Sequence, residues 1–353
     1  MINSEPQLAA ALQSLDRAPW IALDTEADSL HAYPEKLCLL QISFPGEDIL
    51  IDPLAGLNLS PLFEILQRHE LILHGADYDL RLFHRTYSFS PGSVFDTMLA
   101  SRLLGEMRFS LSDLVQRHLG ITLEKGSQKA NWARRPLTER MEAYAKNDTR
   151  HLKPLADLLR AKLAAAGRLA WHTEVCARLI ADSTHLPPPD ADQVWRLKGS
   201  RKLRRNGLAA LRELWHWREA EAIAANRPPF FILPHDLLIE IADVASHGGP
   251  VDSLIPRHLT NRRRDGLERA LQHGLALAAS EQPHIHHTEP YHPSAREKAR
   301  FLELQQHRDK IATQLQLDPS LIAPKSLLQN LSREQPDPDG PTLMRWQKEL
   351  LAL

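Results

Sequence analysis

Short apolar runs alternate with helical patterns through the first part of the chain. Four runs have the length and the apolar content of buried strands: WIALD (20–24), LCLLQIS (37–43), DILIDP (48–53) and LILHGA (71–76). Between or after them, SPLFEILQRH (60–69) and YDLRLFHRTY (78–87) repeat apolar residues at helical spacing. This alternation predicts an α/β domain with a mixed central sheet and flanking helices.

The later part of the chain has helical patterns only, with two interruptions. HLPPPDAD (185–192) contains three consecutive prolines, which cannot continue a helix and favour an extended linker. The second break, EQPHIHHTEPYHPS, occupies 281–294. We therefore expect a first domain at 1–190 and two small all-α bundles at 207–285 and 295–353, the second bundle being a weak repeat of the first.

Length and composition agree with this division. A chain of 353 residues is longer than an ordinary single domain with one hydrophobic core. Its content of 43% hydrophobic and 25% charged residues is typical of soluble globular proteins. The net charge of −1 gives no overall attraction to nucleic acid, so such a partner must be held by local basic patches. The two cysteines, Cys38 and Cys176, exclude a disulfide framework and fit a reducing compartment. Without a secretory start or a bilayer-length apolar run, we expect a soluble cytoplasmic protein that does not bind membranes.

Three separated elements of the α/β domain each offer carboxylates. Asp24 and Glu26 end the first strand two residues apart, so they project from the same face. Asp79 stands near the start of the helix that follows LILHGA, and Tyr144 and Asp148 are one helical turn apart. For the pair on the strand alone, the alternative is a solvated strand end.

Acids that converge in a dry site repel one another unless a cation neutralises them. Oxygen ligands suit Mg²⁺ or Mn²⁺, and the two distant cysteines give no zinc pattern. Two such ions about 4 Å apart can activate a water and stabilise the leaving oxygen of a phosphodiester. A tyrosine hydroxyl one turn from a ligand can hold that water. A carboxylate-pair glycosidase would explain Asp24 and Glu26 but would leave Tyr144 and Asp148 without a role.

The same residues carry a family resemblance. DTEAD (24–28), HGADYDLRLF (74–83) and YAKND (144–148), in this order, resemble the three motifs of the DEDD 3′→5′ exonucleases. Three intervening segments resemble the ribonuclease D family specifically: FDTMLASRLLG (95–105), LSDLVQRHLGITLEKG (111–126) and NWARRPLTERMEAYA (131–145). The resemblance covers residues 1–185 and implies an α/β ribonuclease-H-like exonuclease domain.

The resemblance assigns a role to each motif residue. Two divalent cations, Mg²⁺ or Mn²⁺, would be held by Asp24, Glu26, Asp79 and Asp148. Tyr144 would orient the attacking water, because the histidine subclass places its histidine five residues before the last aspartate, where this chain has Ala143.

Two positions depart from the pattern or leave it ambiguous. In the second motif Asp77 also offers a carboxylate, but the alignment with L-x-x-F favours Asp79. Ala130 and Asn131 stand where the family commonly has Ser-Asp, which we do not expect to affect the cations.

The activity implied is that of a 3′→5′ exoribonuclease that releases 5′-mononucleotides. In family terms its substrates are the 3′ trailers of tRNA precursors and other structured RNA, and no obligate protein partner is implied. A DNA 3′→5′ exonuclease of the same fold is the alternative. A nucleic-acid-binding adaptor with an inactive exonuclease fold is a further alternative, against which the presence of all four acids and Tyr144 argues.

Basic residues after the first domain are candidate RNA contacts. RLKGSRKLRR (196–205) has six basic residues and no acid, and Arg201, Lys202, Arg204 and Arg205 are expected to contact phosphates. The alternative is an ordinary solvated face. His74, at the end of a strand, is expected either to line the site and contact RNA or to pack as a hydrogen-bonded core residue.

Two helical segments resemble a known RNA-binding module. Residues 207–242 resemble the helicase-and-RNase-D C-terminal (HRDC) domain, and 295–353 resemble a second, divergent copy. The resemblance implies HRDC-type bundles that help to bind structured RNA. The histidine cluster of 284–292 lies in a proline-bearing break and is expected to be a solvated loop rather than a metal site.

Overall fold

The computed structural model describes residues 1–124, 126–185, 190–285, 291–338 and 340–353. These residues form two compact units. The sheet unit contains residues 1–27, 37–185 and 291–353, and the helical unit contains 28–36 and 190–285. Among the described residues, no helix has the length and apolar content needed to span a membrane.

A mixed five-stranded sheet forms the centre of the sheet unit. Its strands are β1 Ile21–Ala27, β2 Leu37–Phe44, β3 Glu47–Ile51, β4 Glu70–Leu73 and β5 Ser93–Asp96, in the order β3-β2-β1-β4-β5. The pairs β1–β2 and β2–β3 are antiparallel, and β1–β4 and β4–β5 are parallel. The predicted mixed sheet is confirmed. Strand β5 is missing from the sequence prediction, because only Val94 and Phe95 mark it as apolar.

Helices cover the sheet and build the helical unit. In the described residues they are α1 Glu5–Asp16, α2 Ser60–Gln67, α3 Asp77–Tyr87, α4 Thr97–Leu103, α5 Leu111–Leu119, α6 Glu139–Arg150, α7 Leu152–Ala165, α8 Leu169–Thr184, α9 Arg205–Ala225, α10 Pro229–Ile232, α11 His235–Ser246, α12 Asn261–Ala276, α13 Ala295–Leu315, α14 Pro319–Ile322, α15 Lys325–Ser332 and α16 Arg345–Leu351. The predicted proline linker falls largely on 186–189, which lie outside the described residues.

Strand β1 divides its side chains between the two faces of the sheet. Ile21 and Leu23 pack with α1, α2 and α3 on one face. Ala22 packs with α7 on the other face. Successive strand residues point to opposite faces of the sheet. Asp24 and Glu26 therefore lie on the same face as Ala22, and the residue between them lies on the same face as Leu23.

The C-terminal helices α13 to α16 share a hydrophobic core with α7 and α8. Trp346 of α16 stacks on Trp171 of α8, with ring centroids 4.8 Å apart and an interplanar angle of 17°. The Glu174 carboxylate accepts the backbone N–H of Arg345 at 2.6 Å and so caps the start of α16. Residues 291–353 thus belong to the same compact unit as the sheet. The domain bounds 1–190, 207–285 and 295–353 remain predictions.

Replacing Trp346 by Ala should destabilise the whole sheet unit, because this side chain is only 3% exposed and fills the shared core. Truncating a buried Trp typically costs about 3–5 kcal/mol. Denaturant unfolding followed by far-UV circular dichroism measures the loss. Leu302→Ala, on the exposed side of α13, is the control and should change stability by no more than about 0.5 kcal/mol. If 291–353 folded independently, Trp346→Ala would shift one early transition and leave the main one unchanged.

The helical unit is built on the close approach of α9 and α12. A Cβ added to Gly274 of α12 would meet the Ala210 Cα at 2.6 Å, so this crossing requires glycine. Leu211 and Leu214 of α9 pack with Leu267 of α12 in the unit's core. The predicted all-α character of this part of the chain is confirmed.

Candidate active site

One cavity of the sheet unit collects polar side chains from distant parts of the sequence. Its volume is about 360 Å³. Asp24 and Glu26 of β1 line it together with Tyr144 and Asp148 of α6. The remaining lining residues are His74, Ser110, Leu111 and Gln128. The structure therefore brings together four of the five residues assigned to catalysis from the sequence, and the fifth, Asp79, lies near Asp24 without lining the cavity.

Helix α6 is capped at its start and hydrogen-bonded to the sheet near its end. The Thr138 hydroxyl caps its start by accepting the N–H of Met141 at 3.2 Å. Near its other end, Thr149 Oγ1 lies 2.7 Å from Ser43 Oγ on β2. Residues one turn apart share a helix face, which explains why Tyr144 and Asp148 reach the same cavity.

Helix α3 is positioned by a buried carboxylate that binds the preceding loop. Asp96 is fully buried and accepts the backbone N–H groups of Gly75 at 3.0 Å and Ala76 at 2.8 Å. Gly75 has φ of 72°, a conformation that favours glycine. The loop therefore delivers the first turn of α3, with Asp79, to the edge of the sheet where β1 ends.

Of the two acids in this first turn, Asp79 faces inward. It is 5% exposed, accepts a hydrogen bond from the Thr25 hydroxyl and lies close enough to Asp24 for repulsion between them. Asp77 is half exposed and forms an ion pair with Arg81, one turn along the helix. This geometry favours Asp79 over Asp77 as the site residue.

Burial and mutual repulsion raise the pKa of the site's carboxyl groups. Burial, with repulsion from Asp148, raises the pKa of Asp24 to about 8. Burial, with repulsion from the other three acids, raises the pKa of Glu26 to about 10. Burial raises the pKa of Asp148 to about 7, although a hydrogen bond from Tyr144 lowers it. The pKa of Asp79 is also well above its ordinary value, mainly through burial.

These raised pKa values predict that the cation-free protein loses stability as pH rises. The folded chain keeps protons that the unfolded chain, with ordinary carboxyl pKa values near about 4, has already released. Folding stability therefore falls with pH up to the folded pKa of each group. Between about pH 7 and 9, Asp24 and Glu26 still titrate, whereas His74, whose pKa burial lowers, stays neutral.

We expect the melting temperature of EDTA-treated protein to fall steadily across this pH window and to recover when Mg²⁺ is added. The measurement is a set of thermal melts with and without the cation. Glu26→Gln removes a carboxyl group whose pKa burial and repulsion raise to about 10, and it should give a shallower slope. A flat wild-type profile, or equal slopes for the two proteins, would contradict the electrostatic account.

The Tyr144 hydroxyl is held between two polar side chains. It donates to Asp148, and the Gln128 side chain donates to it. Its ring lies beside that of the buried Trp132, with centroids 6.1 Å apart. Burial and the neighbouring acids raise the pKa of Tyr144 above its ordinary value. The hydroxyl therefore keeps its proton near neutral pH and can serve as a hydrogen-bonding group, not as a base.

The donor set suits a hard divalent cation, but the side chains are not yet gathered around one. All four acids provide oxygen, the ligand that Mg²⁺ and Mn²⁺ prefer. Within the described ranges, no three His, Cys, Asp or Glu side chains are grouped closely enough to hold a metal ion. Asp79 and Asp148 each have another partner, in Thr25 and Tyr144 respectively. A carboxylate that accepts a hydrogen bond on one oxygen keeps lone pairs for a cation, so these two contacts can persist when a cation binds.

Known proteins resemble this chain over both units. A family model described as 3'-5' exonuclease matches residues 1–164, and a model of the HRDC domain matches 207–246. Ribonuclease D of Pseudomonas paraeruginosa is 31% identical over 99% of this chain and 94% of its own length. The chain belongs to the ribonuclease D family.

Other ribonuclease D relatives and structures extend this comparison. Ribonuclease D of Gluconacetobacter diazotrophicus is 32% identical over 69% of this chain, and the match spans only 63% of that relative's length. The crystal structure of Escherichia coli RNase D, described as an exoribonuclease involved in structured RNA processing, shares the fold. Its TM-score is 0.76 at 24% identity, covering 100% of this chain and 96% of that one.

His74, one of the RNA contacts predicted for this ribonuclease D family member, lines the cavity. Its Nδ1 lies 2.9 Å from Thr97 Oγ1, and the Thr97 hydroxyl donates to the Leu73 carbonyl at 3.0 Å. His74 therefore hydrogen-bonds within the fold and also lines the cavity. Its contact with RNA remains a prediction.

The basic run lies in the helical unit, where its members differ in environment. Arg201 and Arg204 are exposed, and Lys202 forms an ion pair with Asp243 at 3.6 Å. The Arg205 guanidinium instead donates to backbone carbonyls, including that of Ala279 at 2.6 Å. Phosphate binding by these four residues remains a prediction, and the exposure of Arg201, Lys202 and Arg204 favours it for these three.

Part of the predicted histidine cluster falls outside the described residues. His286 and His287 are not described. The His284 backbone carbonyl accepts a hydrogen bond from Arg196 at 2.9 Å. The expectation of a solvated loop at 284–292 stays a prediction.

Three lining residues are absent from the sequence prediction. Ser110 accepts the N–H of Asp113 at 3.2 Å and so caps α5, whose first residue is Leu111. The Ser-x-x-Asp spacing marks this helix start in the sequence, but it does not reveal that the start lies at the cavity. Gln128 stands in an irregular stretch that has no periodic pattern.

Proposed function

We propose that this member of the ribonuclease D family is a metal-dependent 3′→5′ exoribonuclease that releases 5′-mononucleotides. The observation that carries the proposal is that three acids from β1 and α6 line one cavity beside a tyrosine hydroxyl, with Asp79 of α3 close to Asp24. Family membership supports the same activity. The proposed natural substrates are tRNA precursors and other structured RNA 3′ ends.

The four acids would hold two divalent cations, Mg²⁺ or Mn²⁺. Such ions, when bound, activate a water and stabilise the leaving oxygen of a phosphodiester. The reaction consumes one water for each nucleotide released. The bond from phosphorus to the 3′ oxygen breaks, the phosphate stays on the released nucleotide, and the shortened RNA gains a free 3′-hydroxyl.

Tyr144 would hold the attacking water in place. Its hydroxyl lies at the cavity with its oxygen accepting from Gln128, so the direction of its O–H bond is restricted. A neutral, oriented hydroxyl lowers the barrier by fixing the water near the reacting phosphorus. In this proposal Gln128 is a positioning residue that acts through Tyr144.

The helical unit would contribute affinity for RNA through its basic segment. Phosphate contacts release counterions and make binding sensitive to salt. RNA is the proposed partner, and the cytoplasmic location is a proposal from the sequence. A DNA 3′→5′ exonuclease remains the second candidate, because the family model for 1–164 does not distinguish the two nucleic acids.

The test uses RNA and DNA strands of equal sequence, each labelled at the 5′ or the 3′ end, with Mg²⁺, Mn²⁺ or EDTA. We expect the 3′ label to leave RNA as a mononucleotide and the 5′-labelled RNA to shorten one nucleotide at a time. EDTA should abolish both. Asp148→Asn, purified in parallel, controls for contaminating nucleases.

Three outcomes would contradict the proposal. Equal or faster cleavage of DNA would favour the DNA exonuclease. Tight RNA binding without cleavage in any metal would favour an inactive adaptor. Unchanged activity of Asp148→Asn would show that the cavity takes no part in the reaction.

A further inference from the structure

Gln41 is a buried polar side chain that the fold does not explain. It lies in β2, all eight residues of which are buried, and its own exposure is 0%. Neither its amide nitrogen nor its amide oxygen has a hydrogen-bond partner among the described residues. Buried amide groups are nearly always paired, so an unpaired one calls for a function or a second state.

The other polar residue of β2 shows what a structural role looks like. Ser43 is 1% exposed, donates to Asp48 at 2.6 Å and lies 2.7 Å from the Thr149 hydroxyl of α6. This residue therefore fastens α6 to the sheet. Gln41 points to the same face, two residues along the strand, but makes no such contact.

The register of the sheet places Gln41 next to the candidate cation site. In the β1–β2 pair, Gln41 stands directly opposite Asp24. Residues opposite each other in an antiparallel pair project from the same face with Cβ atoms about 5 Å apart. The length of a glutamine side chain spans this distance, so a rotation brings its amide to the Asp24 carboxylate without moving the backbone.

The chemistry of the amide suits that position. An anionic carboxylate that shares a cation still has lone pairs that need donors, and hydrogen bonds from neighbouring groups orient the ligands of metal sites. A lysine or arginine donor would add positive charge beside the cations. A neutral amide donates without that repulsion.

We propose that Gln41 is a positioning residue whose amide N–H donates to the Asp24 carboxylate when that carboxylate holds a divalent cation. The inference rests on the proposed function, because it assumes that the four acids bind cations. This role explains why β2 contains one buried amide without a hydrogen-bond partner in the described part of the chain, although its other side chains are apolar or hydrogen-bonded.

The test measures Mn²⁺ binding by titration calorimetry, without RNA. Gln41→Met keeps the volume and removes the donor, and we expect the dissociation constant to rise by about 10-fold or more. Gln41→Leu also removes the donor, with a branched apolar side chain of similar size, and it should weaken Mn²⁺ binding similarly. Ile42→Val is the matched control: it shortens a buried side chain of the same strand on the other face of the sheet, so it should lower the melting temperature and leave Mn²⁺ affinity unchanged.

The outcomes separate this inference from the proposed function. Wild-type protein that binds no Mn²⁺ would overturn both. Wild-type binding with unchanged affinity in Gln41→Met and Gln41→Leu would overturn the role of Gln41 alone, whatever the melting temperatures of the two variants. If Gln41→Met does not fold, Gln41→Leu decides by the same measurement.

Discussion

Replacing Asp24 or Asp148 by Asn is expected to lower the rate of nucleotide release by about 10³-fold or more. A bound cation contributes several kcal/mol of transition-state charge stabilisation, and each 1.36 kcal/mol is about tenfold in rate. Asn keeps the shape of the side chain but provides no negative charge to hold a cation. The measurement is the single-turnover rate of mononucleotide release at several Mg²⁺ concentrations.

Folding should survive these replacements. Burial and repulsion raise the pKa of both carboxyl groups, so the charged acids oppose folding when no cation is present. We therefore expect each variant, in EDTA near neutral pH, to melt at or above the wild-type temperature. An inactive variant that is also unfolded would not support a role in catalysis.

Asp79 and Asp77 provide a matched pair for the same experiment. Asp79→Asn should be severely impaired, because this side chain is buried against Thr25 and close to Asp24. Asp77→Asn should be nearly as active as the wild type, because it loses only an exposed ion pair with Arg81. The opposite order would show that the wrong acid of the second motif has been assigned.

Replacing Tyr144 by Phe is expected to lower the single-turnover rate by roughly 10²-fold or more at saturating metal. The change keeps the ring beside Trp132 and all four acids but removes the hydroxyl that would hold the water. Affinity for cation and RNA should change little, since the lost contact acts mainly in the transition state. Rates are measured beside RNA-binding and thermal-melt experiments on the same preparations.

Tyr87→Phe is the control for this substitution. The Tyr87 ring packs against Phe63 in the core on the other face of the sheet, away from the cavity. It should leave the rate unchanged. If Tyr144→Phe also keeps the wild-type rate, the hydroxyl has no part in the reaction and the ring serves packing alone.

The sequence predicts which site residues point in the same direction, because the repeat of a strand or a helix is only a few residues long. The two-residue spacing of Asp24 and Glu26 and the four-residue spacing of Tyr144 and Asp148 are local facts, and the structure shows both pairs facing one cavity. The resemblance to L-x-x-F selects Asp79 over Asp77, in agreement with the observed burial.

Contacts between distant segments could not be predicted in this way. A periodic pattern shows that a helix has an apolar face but not which surface covers it, so the stacking of Trp346 on Trp171 is invisible in the sequence. The same holds for the Gln128 side chain, which reaches Tyr144 from an irregular stretch. The unpaired amide of Gln41 also appears only when burial and partners are known.

The central claim is that these four carboxylates form one cation site, and the number of Mn²⁺ ions bound per chain tests it most directly. Electron paramagnetic resonance of free Mn²⁺ gives this number at saturation for the wild type and for the Asp24→Asn/Glu26→Gln double variant. The account predicts two ions per wild-type chain and the loss of both in the variant. Equal Mn²⁺ binding by the two proteins would contradict it.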